Sequence, residues 1–390
     1  MYFLIAMIDD IFIMTNKKRG IPVTNNNAFN GNVRRRQLLA GLSALGVAPL
    51  IGGFPNIARA QEKKLRVGLY GGYFKDTFDA EIFPDFTAAT GIEVESVAEP
   101  TGEVWLVQLE QAAKAGKSPV DISMMSGVPI IRGSNSGLWA PLDPKKMPNV
   151  KNVKPNLVSR NGSEELMAVG ATGWYITLVS NTDVYKEAPT SWKDIWDPKY
   201  KDSLGLLANV GNSYLLEVAA KTYFGGIKHL DTDEGIREAA AKVGELKPNV
   251  RLWYRDEAQF EQGLKSGEIP MGQYFHDVTR LAVKDGFPVR STMPVEGGIY
   301  DYGSWAVTKA AASSLDLAHV YIDYMCQAST QAKLARKLGS ALVIDRGLTD
   351  LTDEEFNSVA SDIDPVTPHY EMQALKTDFI NQVWSEMQQG

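Results

Sequence analysis

The sequence predicts an α/β protein of two lobes joined by several crossings of the chain. Three observations carry that reading. From residue 65 onward, short apolar runs alternate with helical stretches, the pattern of strands separated by helices. A second series of the same kind begins near Ser191. Pro and Gly are spread along the chain instead of gathering in one linker, so two lobes with shared crossings fit better than two consecutive domains.

In the first series, residues 65–69 read as a buried strand, and 76–90 as a helix with acids in its first turn and Gly91 as its stop. Residues 92–98 follow as a strand, 101–115 as a helix ending at Gly116, and 120–125 as a third strand, which predicts a largely parallel sheet. In the second series, Ser191 caps a short helix at 192–196, 204–208 is a strand, and 213–224 and 232–246 are helices. A helix over 256–265 closes at Gly267, before strands at 269–275, 289–295 and 304–308. The rest reads as mostly helical.

With 390 residues, 44% of them hydrophobic and 22% charged, the chain holds enough apolar material for two cores. Beyond residue 60 nothing approaches the roughly 18 consecutive apolar residues that span a bilayer. The first sixty residues differ. Arg34, Arg35 and Arg36 precede Gln37, Leu38 and Leu39, a small and apolar run follows over 40–54, and Ala58-Arg59-Ala60 stands before Gln61. This is the order of an export signal over 1–60, cleaved after Ala60. Residues 35–39 also resemble the twin-arginine motif, which implies export in a folded state. Residues 1–13 are apolar but interrupted by Asp9 and Asp10, and Met14 reads as the true start.

The net charge is -7, and the first sixty residues hold seven basic and two acidic side chains, leaving the remainder at -12. Such a balance excludes nucleic acid as a partner, because phosphate binding needs clustered Lys and Arg. Cys326 is the single cysteine, so the chain has no internal disulfide and no cysteine at the cleavage site to take a lipid. Its apolar neighbours at helical spacing mark it as a buried thiol. An unanchored exported chain fits a Gram-negative periplasm, as a monomer.

No catalytic signature is present: no Gly-x-Ser-x-Gly elbow, P-loop, His-Glu-x-x-His or Cys-x-x-Cys. His229, His276, His319 and His369 are scattered, without the spacing of a metal site, and His319 reads as a packed residue. Gly68-Leu69-Tyr70-Gly71-Gly72 follows a strand but lacks the spacing of a dinucleotide loop. The chain therefore reads as a non-enzyme without cofactor. What remains is a set of aromatic and polar residues at strand ends, where open α/β sheets bind ligands. They are Tyr70 and Tyr73, Ser126 and Gly127, Asn209 and Asn212, Trp253 and Tyr254, Tyr274 and Asp277, and Tyr300 and Asp301. Aromatic faces hold alkyl chains and cations, while Asp and Asn fix polar ends. Of these, all but Tyr254 are the expected ligand-binding residues.

The segments Gly173-Trp174-Tyr175-Ile176-Thr177-Leu178-Val179-Ser180-Asn181 and Pro189-Thr190-Ser191-Trp192-Lys193-Asp194-Ile195-Trp196-Asp197-Pro198-Lys199-Tyr200 are similar to those of bacterial extracellular solute-binding proteins, family 1, of the spermidine/putrescine-binding type. Residues 263–272 (GLKSGEIPMG) resemble the family's glycine-glutamate turn before a cleft strand. Residues 294–299 (PVEGGI) resemble its second crossing between lobes, and 330–339 its late helix. The resemblance spans the chain after the signal. It implies the type II periplasmic binding protein fold, with a ligand cleft between a first lobe of 62–172 plus about 298–390 and a second lobe of 176–295. It also implies hinge closure around the ligand and delivery to an ABC permease of the inner membrane.

Two acidic positions of the polyamine binders fall on Asn209 and Asn212, a tryptophan of the first loop falls on or beside Gly71, and an aromatic falls near Val128. Amides cannot balance two ammonium groups in a dry cleft as carboxylates do. The expected cargo is thus a small organic amine or zwitterion. The alternatives are an organic carboxylate held by Arg132, Arg251, Arg255 or Arg280, and a sensory protein that presents its ligand to a receptor.

Overall fold

The computed structural model describes residues 63–389, Thr101 excepted. The expected export signal, its cleavage site after Ala60 and the alternative start at Met14 lie outside these residues. The described strands are β1 (Lys64–Tyr70), β2 (Glu93–Glu99), β3 (Ser123–Ser126), β4 (Val158–Arg160), β5 (Leu166–Asn181), β6 (Leu204–Leu207), β7 (Val250–Tyr254), β8 (Met271–Phe275), β9 (Val289–Thr292) and β10 (Ile299–Ala306).

β1 and β2 pair in parallel, from Lys64 opposite Glu93 to Tyr70 opposite Glu99. A parallel bridge from Val67 to Ile122 joins β1 to the approach to β3. The larger sheet runs β3-β10-β5-β8-β6-β7, with β4 and β9 also on β5. The parallel pairing expected from the strand-helix alternation holds for β1–β2, β6–β7 and β6–β8. It fails around β5 and β10, where every pairing is antiparallel. Those two strands carry the chain between lobes in opposite directions, so the sheet is mixed.

β5 is the spine. Its first part pairs with β4 and β10, its last part with β8 and β9. Fifteen of its sixteen residues are buried and only Trp174 is partly exposed. A strand covered on both faces has no alternation to reveal it, which is why residues 125–191 carry no expected strand. β10 starts at Ile299 instead of 304, since Gly303 and the register shift beside it blur its pattern. The first helix spans 73–90 rather than 76–90, with a π-helical stretch at Phe78–Ile82, and stops at Gly91 in the left-handed conformation (φ 69°).

Two main apolar cores result. The first gathers Leu65, Val67, Phe78, Phe86, Val169, Trp305, Tyr321 and Ile344; the second gathers Leu178, Trp192, Leu206, Val218, Phe260 and Met271. Their boundary passes between Tyr175 and Ile176 on β5 and between Ile299 and Tyr300 on β10, which are partners in the ladder. A third crossing lies between Ala360 of the first core and Val366 of the second. Val366, Met372, Ile380, Val383 and Trp384 all sit in the second core, although the sequence groups 298–390 with the first lobe. The apolar face of the helix Thr377–Gln389 finds its match on the helix Asp233–Gly244, and the Trp384 indole donates to the Ala208 carbonyl at 2.9 Å.

Cys326 is fully buried, as its neighbours implied, and burial raises its thiol pKa. His319 is packed and accepts the Asp143 N–H at 2.9 Å. No described helix is long and apolar enough to cross a membrane.

Candidate functional site

Asp301 is the point on which both lobes converge. It lies on β10 directly opposite Trp174 of β5, one ladder position past the Tyr300–Tyr175 pair that borders the core boundary. Adjacent residues of a strand face opposite sides. Asp301 and Trp174 thus share one face, and the Tyr300–Tyr175 pair lies on the other, rings 5.3 Å apart. The Tyr214 hydroxyl, from the second core, donates to Asp301 Oδ2 at 2.8 Å. The Tyr370 hydroxyl and the Tyr302 N–H (2.7 Å) donate to Oδ1, and the Trp174 side chain adds a further bond. Asp301 is 5% exposed, and no salt bridge joins it to a Lys or Arg among the described residues. Burial raises its pKa, against the pull of these donors.

Around this carboxylate stand the first-lobe residues. The Tyr70 ring meets Trp174 edge-on at 6.0 Å and its hydroxyl bonds Ser126. Ser126 closes β3, and Gly127 opens the helix Gly127–Asn135. Gly127 is needed here: a Cβ at that position would lie 2.5 Å from the Tyr370 ring. Behind Tyr70, Glu99 ends β2, its Oε2 accepting from Ser123 at 3.0 Å and its Oε1 without a partner. Burial pushes the Glu99 carboxyl well up. Tyr214 takes a left-handed backbone (φ 53°) between two short helices, a conformation that costs a non-glycine residue about 1 kcal/mol or more.

A second group lies at a cavity of about 390 Å³, which Tyr73, Asp277, Arg280, Lys284 and Gly339 help to line. The Tyr73 hydroxyl donates to the Lys337 carbonyl at 2.8 Å. Asp277 Oδ1 has no partner, and burial raises the carboxyl to about 6, against backbone N–H donors and Arg280. Arg280 donates to the Ser358 carbonyl, and His276 bonds the same oxygen at 3.0 Å and Ser291 at 2.8 Å. Burial first, then Arg280, lowers the His276 pKa to about 4, so it is neutral here. Since Ser358 precedes Val359 of the first core, these bonds also span the lobes.

Of the eleven residues expected from sequence, Tyr70, Ser126, Gly127 and Asp301 meet in one cluster, and Tyr73 and Asp277 line the cavity. Asn209 and Asn212 form an exposed turn that leads to Tyr214, the Asn209 side chain capping Gly211 N–H at 3.0 Å. The remaining three point elsewhere. Tyr300 donates to the Leu342 carbonyl on the opposite face of β10. Tyr274 is buried in the second core against Phe260, rings 5.4 Å apart. Trp253 packs edge-on against Trp384 at 6.0 Å. Position after a strand does not say which face a side chain takes: the second core claims Tyr274 and Trp253, and Tyr300 lines a smaller cavity of about 230 Å³ on the other face of β10.

Sequence reasoning missed Trp174, Tyr214 and Tyr370 as site residues. Trp174 lies in the recognisable 173–181 segment, and its ladder partner is Asp301, a pairing visible only once β5 is known. Tyr214 follows Asn212 by two residues. Tyr370 had no local signal, since it opens a helix far from any strand end.

A family model described as bacterial extracellular solute-binding protein matches residues 81–344. The gamma-aminobutyric acid-binding protein of Pseudomonas aeruginosa is 28% identical over 304 residues, covering 76% of this chain and 80% of the relative. The spermidine/putrescine-binding periplasmic protein of Escherichia coli is 25% identical over 311 residues, covering 78% and 82%. An ABC transporter substrate-binding protein from Bradyrhizobium japonicum shares the fold with a TM-score of 0.72 at 20% identity, over 83% of this chain and 99% of that one. The two cores joined at β5 and β10, with polar side chains of both lobes meeting at Asp301, are what a protein that closes on a small solute requires, and this chain belongs to the bacterial extracellular solute-binding protein family.

Proposed function

We propose that the protein is the binding component of an ABC importer and captures a small zwitterion, of the γ-aminobutyrate kind, by closing its lobes. The observation that carries this is the state of Asp301: a buried carboxylate with four hydrogen-bond donors and, among the described residues, no Lys or Arg partner. A carboxylate taken out of water needs an opposite charge as well as hydrogen bonds. An ammonium group supplies it, and the Tyr70 and Trp174 rings suit a short alkyl chain beside it. Arg280 and Lys284 at the cavity of about 390 Å³ offer the opposite sign for a carboxylate end. Ligand that touches both lobes favours the closed form by its differential affinity, and the permease reads that form.

The relatives that bind γ-aminobutyrate and polyamines support an amine-bearing ligand. That two acidic positions of the polyamine binders fall on the uncharged Asn209 and Asn212 favours the singly charged end of that range. Among the arginines weighed for a carboxylate ligand, Arg132 is paired with Glu103, and Arg251 lies near Asp202 and Glu268. Arg280 is the one that faces the cavity, so the organic-carboxylate reading rests on it. The export segment at 1–60, with Arg35-Arg36-Gln37-Leu38-Leu39, supports a twin-arginine route to the periplasm, where a monomer delivers its ligand.

Calorimetric titration with γ-aminobutyrate, putrescine, spermidine and succinate tests the reading. We expect the zwitterion to bind in the wild type and to lose at least a hundredfold in affinity in Asp301→Asn, a charge-assisted contact being worth about 1.5–3 kcal/mol and more when desolvated. Binding of succinate alone, or full zwitterion affinity in Asp301→Asn, overturns it.

A further inference from the structure

The segment after the third crossing is rooted in the second lobe and reaches the first through the helix Tyr370–Leu375. Val366, Met372, Ile380, Val383 and Trp384 anchor it in the second core. Glu217, 1% exposed, accepts the His369 N–H at 3.2 Å and the Gln373 amide at 2.7 Å. A hydrogen bond between His369 and Asp231 (2.7 Å) and ion pairs of Lys376 with Asp233 (2.6 Å) and Lys221 with Asp364 (2.9 Å) hold the same segment to the second lobe. From this base the helix Tyr370–Leu375 packs against the helix Gly127–Asn135, and the Tyr370 ring fills the space that glycine leaves at 127. The ring also meets Tyr302 edge-on at 5.7 Å. Its hydroxyl thereby ends on Asp301 Oδ1.

We propose that 366–389 is a strap in which Tyr370 acts as the positioning residue for Asp301, holding that carboxylate ready for an ammonium ligand from a helix rooted in the opposite lobe. The proposal rests on the zwitterion reading above and deepens it. Two features of the geometry argue for more than packing. A phenylalanine would fill the same space over Gly127, so the ring alone does not account for the hydroxyl's place. And Asp301 has no cation to keep it ionised in a dry site, so its donors carry that task. The titratable groups around it are Tyr70, Tyr214 and Tyr370 on its own face, its strand neighbours Tyr300 and Tyr302 on the other, and Glu99 behind Tyr70; all are neutral or acidic.

Tyr370→Phe in the full mature chain tests this, because it removes the hydroxyl and keeps the ring. Titration with γ-aminobutyrate across pH 4 to 8, alongside Asp301→Asn and thermal unfolding of each variant, gives the readout. We expect Tyr370→Phe to unfold near the wild-type temperature and to bind about tenfold or more weakly. The acid limb of its binding profile moves to higher pH, because Asp301 has lost a donor that favours its charged form. Unchanged affinity together with an unmoved acid limb, while Asp301→Asn abolishes binding, overturns the strap and leaves the zwitterion reading intact. Full binding by Asp301→Asn sinks that reading instead, and the strap with it. Weakened but measurable binding in Tyr370→Phe, with a lowered unfolding temperature and an unmoved acid limb, assigns Tyr370 to packing alone and likewise overturns the strap.

Discussion

At Asp277 burial opposes the charged form of the side chain. Its folded-state pKa of about 6 lies above the ordinary carboxylate value of 3.8. The folded protein therefore holds this proton more tightly than the unfolded chain does. The sign follows: the contribution of Asp277 to stability falls as pH climbs from about 4 to about 6 and stays level above. Asp277→Asn should remove that slope and leave the variant more stable than wild type at pH 7, by on the order of 3 kcal/mol. Urea unfolding at pH 4, 5, 6 and 7 checks it; a variant less stable than wild type at pH 7 would show that Arg280 pairs Asp277 more strongly than burial penalises it. Sites that keep an unsatisfied charge commonly give up stability for function. Asp277 and Asp301 were both legible in the sequence as acids after strands. That Asp301 faces the lobes' meeting point while Tyr300 does not was legible only in the pairing with β5, because alternation needs a known register.

Among the elements, the short turn Trp192–Trp196 shows how one crossing is fixed. Ser191 caps it, and Asp194 returns the bond to the Ser191 N–H. Glu296 accepts from the Ser191 hydroxyl and, at 3.0 Å, from the Trp192 N–H; the Trp192 indole donates to the Gly297 carbonyl at 2.8 Å. The turn thus grips the β9–β10 connection. Trp192→Phe keeps most of the buried ring and strands the Gly297 carbonyl, with an expected loss of about 1–3 kcal/mol in chemical denaturation. No measurable loss would mean that the carbonyl finds another donor. This turn was plain in the sequence, since Ser191 with Asp194 three residues on, and Trp192 and Ile195 at helical spacing, form a local signal. β5 and β10 were not, for opposite reasons: β5 has no polar face to mark its period, and β10 is interrupted at Gly303. Local chemistry reveals caps and turns; strands that exist to be covered on both sides reveal themselves only through partners.

Across the whole molecule, three crossings meet near the ladder pairs Tyr300–Tyr175 and Ile299–Ile176, and polar bonds bridge the lobes at Asp301 and at Ser358. If the lobes close on ligand, small-angle scattering should register a smaller radius of gyration with saturating γ-aminobutyrate in the wild type and no change in Asp301→Asn. An identical radius with and without ligand in the wild type, under conditions where calorimetry reports binding, would argue for a rigid receptor. The two-lobe organisation was readable from alternation and scattered punctuation, whereas the allegiance of the C-terminal helices was not. Helical periodicity says that Ile380, Val383 and Trp384 share a face, and nothing in it says which core receives that face. β5 itself carries a last implication. Because one uninterrupted strand is woven into both halves, a gene fragment encoding a single lobe would always leave half of that strand with its partners missing, so this architecture has to be inherited whole.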